Sequence, residues 1–285
     1  MRKTFIFLFY SFFLLILGRN LLFIPVVSIG GTTKAKDTEA IRQDVVDLLK
    51  DKKGEFNVCY TDLITEDSFG IHPDTVLTGA SMNKLPVVGY LYFLAGKKEI
   101  DLQETVVIQK SDIQDYGTGV IRYEEPGKTY TLQYLAQLAL QKSDNTAAHV
   151  LNIRLGEDNI QAFAFNLGMS ATNMVENDTS CRDIQTFFKK LFVNKIAPEA
   201  LTKEMMGYME NTDFEDRLPR FLPRNLHVYH KTGDGVNFIH DGGIISNGNT
   251  PFILVVTSSN LTDEEEAKVT IGKIAEKIFL DRGKK

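Results

Sequence analysis

Ser81-Met82-Asn83-Lys84 opens the long helical part of this 285-residue sequence. An offset of three residues places the serine and the lysine on one face of a helix. The lysine amine can then take the proton of the serine hydroxyl, provided that burial or a nearby cation keeps the amine partly neutral. Unpaired backbone N–H groups at the start of the helix favour an oxyanion beside the serine. A four-residue run with two fixed positions recurs by chance, so other motifs must decide between a nucleophile and an ordinary helix start.

Two further polar clusters follow, each at a change of secondary-structure pattern. Ser143-Asp144-Asn145 begins a helical run. It fits either a helix cap or a hydroxyl that passes a proton to a leaving nitrogen, next to an amide that holds substrate. Lys231-Thr232-Gly233 ends a β-type run. Its lysine and threonine can donate to a carboxylate, and its glycine lets a substrate backbone lie against the strand, although a plain strand end would look the same.

The patterns around these motifs combine strands with helices at both ends of the chain and helices alone in the middle. A helix is expected over 37–52, strands over 56–65 and 69–72, and a final helix after Thr262. We therefore predict an α/β (α+β) fold, in which an antiparallel sheet is flanked by helices from both chain ends. An all-helical subdomain over about 80–204 is inserted between α/β parts at about 37–79 and 205–285. The later strands are expected over 228–233, 238–246 and 252–258, the last two joined at the turn signal Asn247-Gly248.

The three motifs in this order resemble the signature of class A β-lactamases and penicillin-binding proteins. Flanking segments resemble the same family, among them Gly117-Thr118-Gly119-Val120-Ile121 and His240-Asp241-Gly242-Gly243. The similarity extends from about Asp37 to the C-terminus. It implies a β-lactamase-like fold and a serine hydrolase that forms an acyl-enzyme with β-lactams or acyl-D-Ala-D-Ala amides.

The resemblance also implies a role for each motif residue. Ser81 would be the acylated nucleophile, Lys84 its proton acceptor, and Ser143 the relay of a proton to the leaving group. The substrate-binding positions would be Asn145 for the acyl-side amide, Lys231, Thr232 and Gly233 for the carboxylate end, and Asp234, whose backbone N–H would form the oxyanion hole with that of Ser81.

The chain departs from the family in the loop that normally carries a Glu with an Asn four residues on. That Glu positions the water which hydrolyses the acyl-enzyme. Here the corresponding stretch is much shorter, and Glu176, with Ser180 four residues on, is its only glutamate. Glu176 is thus a catalytic candidate, against the alternative of an exposed loop carboxylate. Without a well-placed base the second step slows by roughly two to four powers of ten. Asp234 is a second departure, because its side chain places a carboxylate either near the substrate or on the other side of the strand.

Composition and the remaining residue types exclude several classes of partner. The net charge of -5 is spread along the chain without a long basic run, which argues against nucleic acid. His227 and His230 lie three apart on an expected strand and face opposite sides, so they make a poor metal pair. We expect no metal, no organic cofactor and a monomer. The sequence leaves open whether its two cysteines, Cys59 and Cys181, pair.

The first thirty residues have the features of an export segment. Arg2-Lys3 precedes an apolar run from Phe5 to Leu17, and a second apolar stretch runs from Leu21 to Val27. No A-x-A cleavage site is present, so a signal peptide and an uncleaved membrane anchor both stay open. In either case we expect residues 31–285 to form the catalytic domain and to work outside the cytoplasm, secreted or in the cell envelope. The membrane would then be contacted only through the N-terminus.

Three functions fit this sequence. The first is an amide hydrolase of the β-lactamase type, in which Glu176 or another group positions water. The second is a D,D-carboxypeptidase or transpeptidase that acts on peptidoglycan stem peptides. The third is a membrane-tethered receptor that a β-lactam acylates without turnover.

Overall fold

Strands from both ends of the chain meet in one antiparallel sheet. The computed structural model describes residues 37–282. Its strands are β1 Glu55–Asp62, β2 Ser68–Ile71, β3 Val76–Thr78, β4 Thr105–Val107, β5 Thr129–Thr131, β6 Asp178–Ser180, β7 His227–Gly235, β8 Phe238–Ser246 and β9 Phe252–Ser259. The main sheet has five strands in the order β2-β1-β9-β8-β7, so β7 forms one edge. The pairs β3–β6 and β4–β5 lie outside it.

Most of the helices lie between the early and the late strands. In the described residues they are α1 Thr38–Leu49, α2 Lys84–Gly96, α3 Leu132–Gln141, α4 Asn145–Leu155, α5 Glu157–Leu167, α6 Cys181–Phe192, α7 Glu199–Gly207 and α8 Glu264–Arg282. Helices α2 to α7 therefore form an insertion between the first two and the last three strands of the main sheet, whereas α1 and α8 come from the two ends of the chain.

The sheet is buried on both faces, which gives the fold two hydrophobic cores. Successive side chains of a strand point to opposite faces. Accordingly, Val58 on β1 and Val256 on β9 belong to one core, while their neighbours Cys59 and Val255 belong to the other. The first core is closed by α1 and α8, and the second is filled by side chains of α2 to α7. Near-continuous burial of this kind explains why β9 begins with an apolar run, Phe252 to Val256.

The predicted fold is confirmed: an antiparallel sheet is built from both chain ends and flanked by their helices, with a helical insertion between. The pairs β3–β6 and β4–β5 were not predicted, because strands of three residues are too short to show an alternating pattern. Within the helical insertion, α3 and α4 are separate helices, because Ser143 between them adopts a left-handed φ of 52°.

The expected signal peptide or anchor at 1–30 lies outside the residues that the structure describes. From residue 37 to residue 282, no helix combines the length and the hydropathy needed to cross a bilayer. Cys59 and Cys181, whose pairing the sequence left open, are both buried free thiols.

A buried polar cluster ties the loop before β7 to the sheet. The His230 ring is fully buried, and its Nδ1 lies 2.8 Å from Oδ1 of the buried Asp241. Its Nε2 lies 3.3 Å from Glu215 Oε1 and 3.3 Å from Thr212 Oγ1. The other Asp241 oxygen accepts the backbone N–H of Leu218. The cluster therefore holds the segment from 212 to 218 against β7 and β8.

This cluster predicts a pH-dependent contribution to stability. Burial alone would lower the pKa of His230, but the carboxylates of Asp241 and Glu215 outweigh it and raise the pKa from 6.5 to about 9. A group with a raised folded-state pKa stabilises fully below its unfolded pKa and loses that effect as the pH rises through the folded value. Wild type should therefore have a higher free energy of unfolding than His230→Gln at low pH. This difference should fall by up to about 3 kcal/mol between pH 6.5 and pH 9.5.

Denaturant titrations across this pH range measure the difference. His227→Gln is the matched control, because His227 is largely exposed on the same strand and contacts Glu210, outside the buried cluster, so this variant should keep the contribution of His230. Parallel pH profiles for wild type and His230→Gln would contradict the assignment.

Candidate active site

Ser81 lies in a strained turn that the edge strand of the sheet holds in place. The turn, Ala80–Asn83, is a short 3-10 helix that leads directly into α2. Ala80 has a φ of 45°, in the left-handed region that costs a non-glycine residue about 1–3 kcal/mol. A Cβ added to Gly233 on β7 would lie 2.9 Å from the carbonyl oxygen of Gly79. Gly233 thus lets β7 pack against the turn, and that packing fixes the backbone of Ser81.

Lys84 is the first residue of α2, and its side chain is buried beside the second motif. Its Nζ donates to the carbonyl oxygen of Ser143, to Ser143 Oγ at 3.2 Å and to Asn145 Oδ1 at 2.7 Å. Burial, and then repulsion from the Lys231 ammonium, hold the pKa of Lys84 well below its usual value, although the Asp144 carboxylate acts in the opposite direction. A lowered pKa makes the neutral amine, the form that can accept a proton from a nucleophile, easier to reach.

The Ser143 loop is fixed by Asp144, which caps α4. Its Oδ1 accepts the backbone N–H of Ala147, and its Oδ2 accepts those of Val120 and Ile121 at 2.6 and 2.9 Å. Thr118 Oγ1 donates to the Ser143 carbonyl oxygen at 2.7 Å. The segment around 118–121 is in this way bound to the turn between α3 and α4. Asp144 thus has the structural role of a cap and also positions Ser143.

Lys231 reaches the same hydroxyl from the sheet. Its side chain is 1% exposed, and Nζ donates to Ser143 Oγ and to the Thr232 carbonyl oxygen, both at 2.9 Å. Burial lowers the pKa of Lys231 to about 7, against the opposing effect of nearby aspartates. Because both lysine amines donate to Ser143 Oγ, they use its two lone pairs, and the hydroxyl hydrogen is left to point elsewhere. Ser143 is thereby suited to hand a proton to a leaving group.

These groups surround a cavity of about 550 Å³. The sequence-predicted residues that line it are Ser81, Lys84, Ser143, Asn145, Thr232 and Asp234. Lys231 is buried behind Ser143 and acts through it. Gly233 contacts the Ser81 turn. Its lack of a side chain therefore makes room for the protein's own backbone, in addition to any substrate.

Glu176 is not brought to the site. It is exposed at the tip of a tight turn and is not among the residues that line the cavity. Asn173 fixes this turn, because its Oδ1 accepts the backbone N–H groups of Val175 and Glu176 at 3.0 and 3.1 Å. A catalytic role of Glu176 gains no support from this position and stays a prediction.

Two asparagines occupy the part of the cleft nearest to that loop, and sequence reasoning gave them no role. Asn83 Nδ2 donates to Asn177 Oδ1 at 2.8 Å and to the Asp178 carbonyl oxygen at 3.1 Å. Asn83 Oδ1 is buried without a protein partner, and both asparagines line the cavity. Because the Asp178 carbonyl can only accept, the orientation of the Asn83 amide is fixed and its oxygen is free to accept a hydrogen bond from water or substrate.

The Asp234 side chain points into the cleft and is held by an arginine that the motifs did not reveal. Arg217, in the loop before β7, is 1% exposed and binds both carboxylate oxygens of Asp234. No pattern in the sequence marks Arg217, because the contact joins an irregular loop to a strand end. In the described part of the chain, no group of three or more His, Cys, Asp or Glu residues is placed to hold a metal ion.

A serine at a strained helix start, a buried lysine of lowered pKa and a shared second serine define the site of an acyl-transferring serine hydrolase. The comparisons agree. The model of the β-lactamase enzyme family matches residues 40–280, and the chain belongs to that family.

Individual relatives are distant. β-Lactamase BRO-1 of Moraxella catarrhalis is 24% identical over 166 residues, and this match spans only about half of each protein, 52% in both cases. β-Lactamase VEB-1 of Pseudomonas aeruginosa is 24% identical over 86% of this chain and 92% of its own length.

Solved structures share the fold. A β-lactamase of Sphaerobacter thermophilus superposes with a TM-score of 0.81 at 22% identity, over 87% of this chain and 98% of that one. The structure of PBP-A superposes with a TM-score of 0.78 at 21% identity, over 84% and 94%. The predicted family and the predicted β-lactamase-like fold are therefore both confirmed.

Replacing Lys84 with Met should slow acylation of Ser81 by a penicillin by about two to four powers of ten, the usual contribution of a positioned base. The measurement is the second-order rate constant of adduct formation, followed by intact-protein mass spectrometry. Lys195→Met, at an exposed position, is the matched control and should keep the wild-type rate. A Lys84→Met rate within about tenfold of wild type would mean that another group takes the proton.

Proposed function

We propose that this serine hydrolase forms an acyl-enzyme on Ser81 with β-lactams and with acyl-D-Ala-D-Ala amides, and releases the acyl group slowly. One observation carries the proposal: Lys84 and Lys231, both buried, donate to Ser143 Oγ in the cleft that Ser81 lines. Such an array can remove a proton on one side of a reacting amide and deliver one on the other.

In the acylation step, the neutral amine of Lys84 takes the proton of Ser81, and Oγ bonds to the carbonyl carbon of the substrate. The carbonyl oxygen becomes an oxyanion, which the backbone N–H groups of Ser81 and Asp234 would stabilise. When the carbon–nitrogen bond breaks, Ser143 gives its proton to the nitrogen and is reprotonated from a lysine beside it. Asn145, on the cleft wall, is placed to bind the acyl-side amide.

Slow release is supported by the lack of a free carboxylate in the cleft. Of the described residues that line it, only Asp234 is acidic, and its carboxylate is paired with Arg217. Glu176 is exposed outside the lining. An ester on Ser81 would then meet water without a strong base to activate it, which is the condition under which an acyl-enzyme accumulates.

The same observation favours a second candidate, a D,D-carboxypeptidase or transpeptidase of peptidoglycan stem peptides. A transpeptidase passes its acyl group to an amine, which needs less activation than water. The fold that the chain shares with PBP-A is compatible with this activity.

We also propose that the enzyme works outside the cytoplasm; that it is a monomer stays a prediction. The support is the sequence pattern of a basic pair followed by the apolar segments at 5–17 and 21–27.

A chromogenic β-lactam in large molar excess over the purified protein tests the proposal. We expect a burst of about one product per active site and then turnover slower by roughly two to four powers of ten. A covalent adduct should be located on Ser81 by peptide mass mapping, and Ser81→Ala should form none.

Glu176→Gln distinguishes slow release from efficient hydrolysis. We expect it to leave burst and turnover unchanged, because Glu176 lies outside the cleft lining. Rapid turnover that Glu176→Gln abolishes would show that the loop rearranges to supply a base, and slow release would be wrong. Release of D-Ala from a stem-peptide mimic would establish the peptidase activity.

A further inference from the structure

Asp234 brings a negative charge into the cleft where a substrate carboxylate would bind. It follows Lys231-Thr232-Gly233 at the end of β7, lines the cavity together with Thr232, and its side chain is 43% exposed. A substrate carboxylate held by Thr232 would therefore lie close to a like charge.

The guanidinium behind this carboxylate is already engaged. Arg217 Nη1 and Nη2 each donate to one oxygen of Asp234, the second at 3.0 Å, and Nη1 lies 3.5 Å from the His240 carbonyl oxygen. Nε donates to Asp216 Oδ1 at 2.9 Å. The forked edge of a guanidinium matches a carboxylate. Here that edge faces a carboxylate of the protein itself.

We propose that Asp234 is a specificity-determining residue, which occupies Arg217 as an internal anion and disfavours substrates that carry a carboxylate beside the scissile amide. The inference rests on the proposed acylation of Ser81 and narrows its substrate class. β-Lactams and acyl-D-Ala-D-Ala amides carry this carboxylate, so they acylate Ser81 more slowly than the same acyl donors with the carboxylate masked as an ester or amide. An anionic substrate can bind Arg217 only if the ion pair between Asp234 and Arg217 breaks. Breaking it is unfavourable, because the Arg217 cation is buried.

Benzylpenicillin and its methyl ester differ in this charge and serve as paired probes. The rate constant for adduct formation on Ser81 is measured with each, and the ratio of anion to ester is compared between variants. Asp234→Asn should raise this ratio by at least about fivefold. Two like charges about 4 Å apart repel each other even at the dielectric constant of water, and removing that repulsion changes a rate constant by about this factor. An unchanged ratio would overturn the proposal.

Asp216 provides a matched control on the same arginine. It pairs with Arg217 through Nε and is also 43% exposed, but it is not among the residues that line the cleft. Asp216→Asn should leave the ratio within about twofold of wild type. An equal rise in Asp216→Asn and Asp234→Asn would also overturn the proposal, since the effect would then reflect overall charge.

Two further measurements cover the cases in which a variant or the reaction fails. If the unpaired cation prevents Asp234→Asn from folding, the double variant Arg217→Met/Asp234→Asn is compared with Arg217→Met, and the ratio should again rise at least about fivefold. No rise there would overturn the proposal.

Benzoate binding, read from the thermal unfolding midpoint, requires no acylation. Benzoate should raise the midpoint of Asp234→Asn and leave wild type and Asp216→Asn unchanged, and no stabilisation of Asp234→Asn would contradict the inference. If neither penicillin acylates Ser81 in wild type, the proposed function is wrong, and the benzoate comparison alone decides the role of Asp234.

Discussion

Two buried lysine amines share the hydroxyl of Ser143, and the rest of the site is arranged around that contact. Burying even one ammonium costs several kcal/mol, and a second one close by adds repulsion. Both lysines therefore bind their protons less tightly. Burial, followed by the charge of Lys231, lowers the pKa of Lys84, and burial lowers the pKa of Lys231 to about 7. The unfavourable environment thereby favours what amide chemistry needs, a lysine that gives up its proton easily and can then take one from a nucleophile. Motif residues in an exposed setting would have neither property.

Such a contact requires three distant chain segments to meet with little freedom. Lys84 comes from the start of α2, Ser143 from the break between α3 and α4, and Lys231 from the edge strand β7. The two backbone positions with left-handed φ at this junction, Ala80 and Ser143, are held by packing and by buried caps. An edge strand suits the purpose, because β7 pairs only with β8 and leaves its other side to the Ser81 turn and the cleft. The hydrophobic cores on the two faces of the sheet provide the rigidity that the strained turns need.

The sequence was sufficient to predict the sheet and the helical insertion, which follow from periodicity, and to mark the motif residues that meet at the cleft, which follow from the resemblance to a known family; that Ser81 is acylated stays a prediction. It did not reveal Arg217 as the partner of Asp234 or the contact of Asn83 with Asn177. Each of these contacts joins an irregular segment to a regular one across many residues, and neither spacing nor propensity encodes it. The side on which Asp234 points could not be decided from strand alternation alone. In the structure Asp234 lines the cleft, and its carboxylate is paired with the buried Arg217.

The acylating array and the group that would activate water depend on different parts of the fold, so one can change without the other. Lys84, Ser143 and Lys231 belong to helix starts and to a sheet strand, all deeply buried. The loop that ends at β6 is a tight hairpin, in which Asn173 and Asp178 exchange backbone hydrogen bonds at 3.0 Å. Its hydrogen bonds to the segment around Ser81 include that of the Asn177 carbonyl, which accepts from Gly79 at 2.6 Å, and those that the Asn83 amide donates to Asn177 and Asp178. Shortening this loop removes the span that would carry a carboxylate over Ser81, yet it leaves the Ser81 turn supported. A fold of this kind can therefore keep the Ser81 turn in place whatever the length of this loop, and under the proposed function that length decides how fast the acyl group is released.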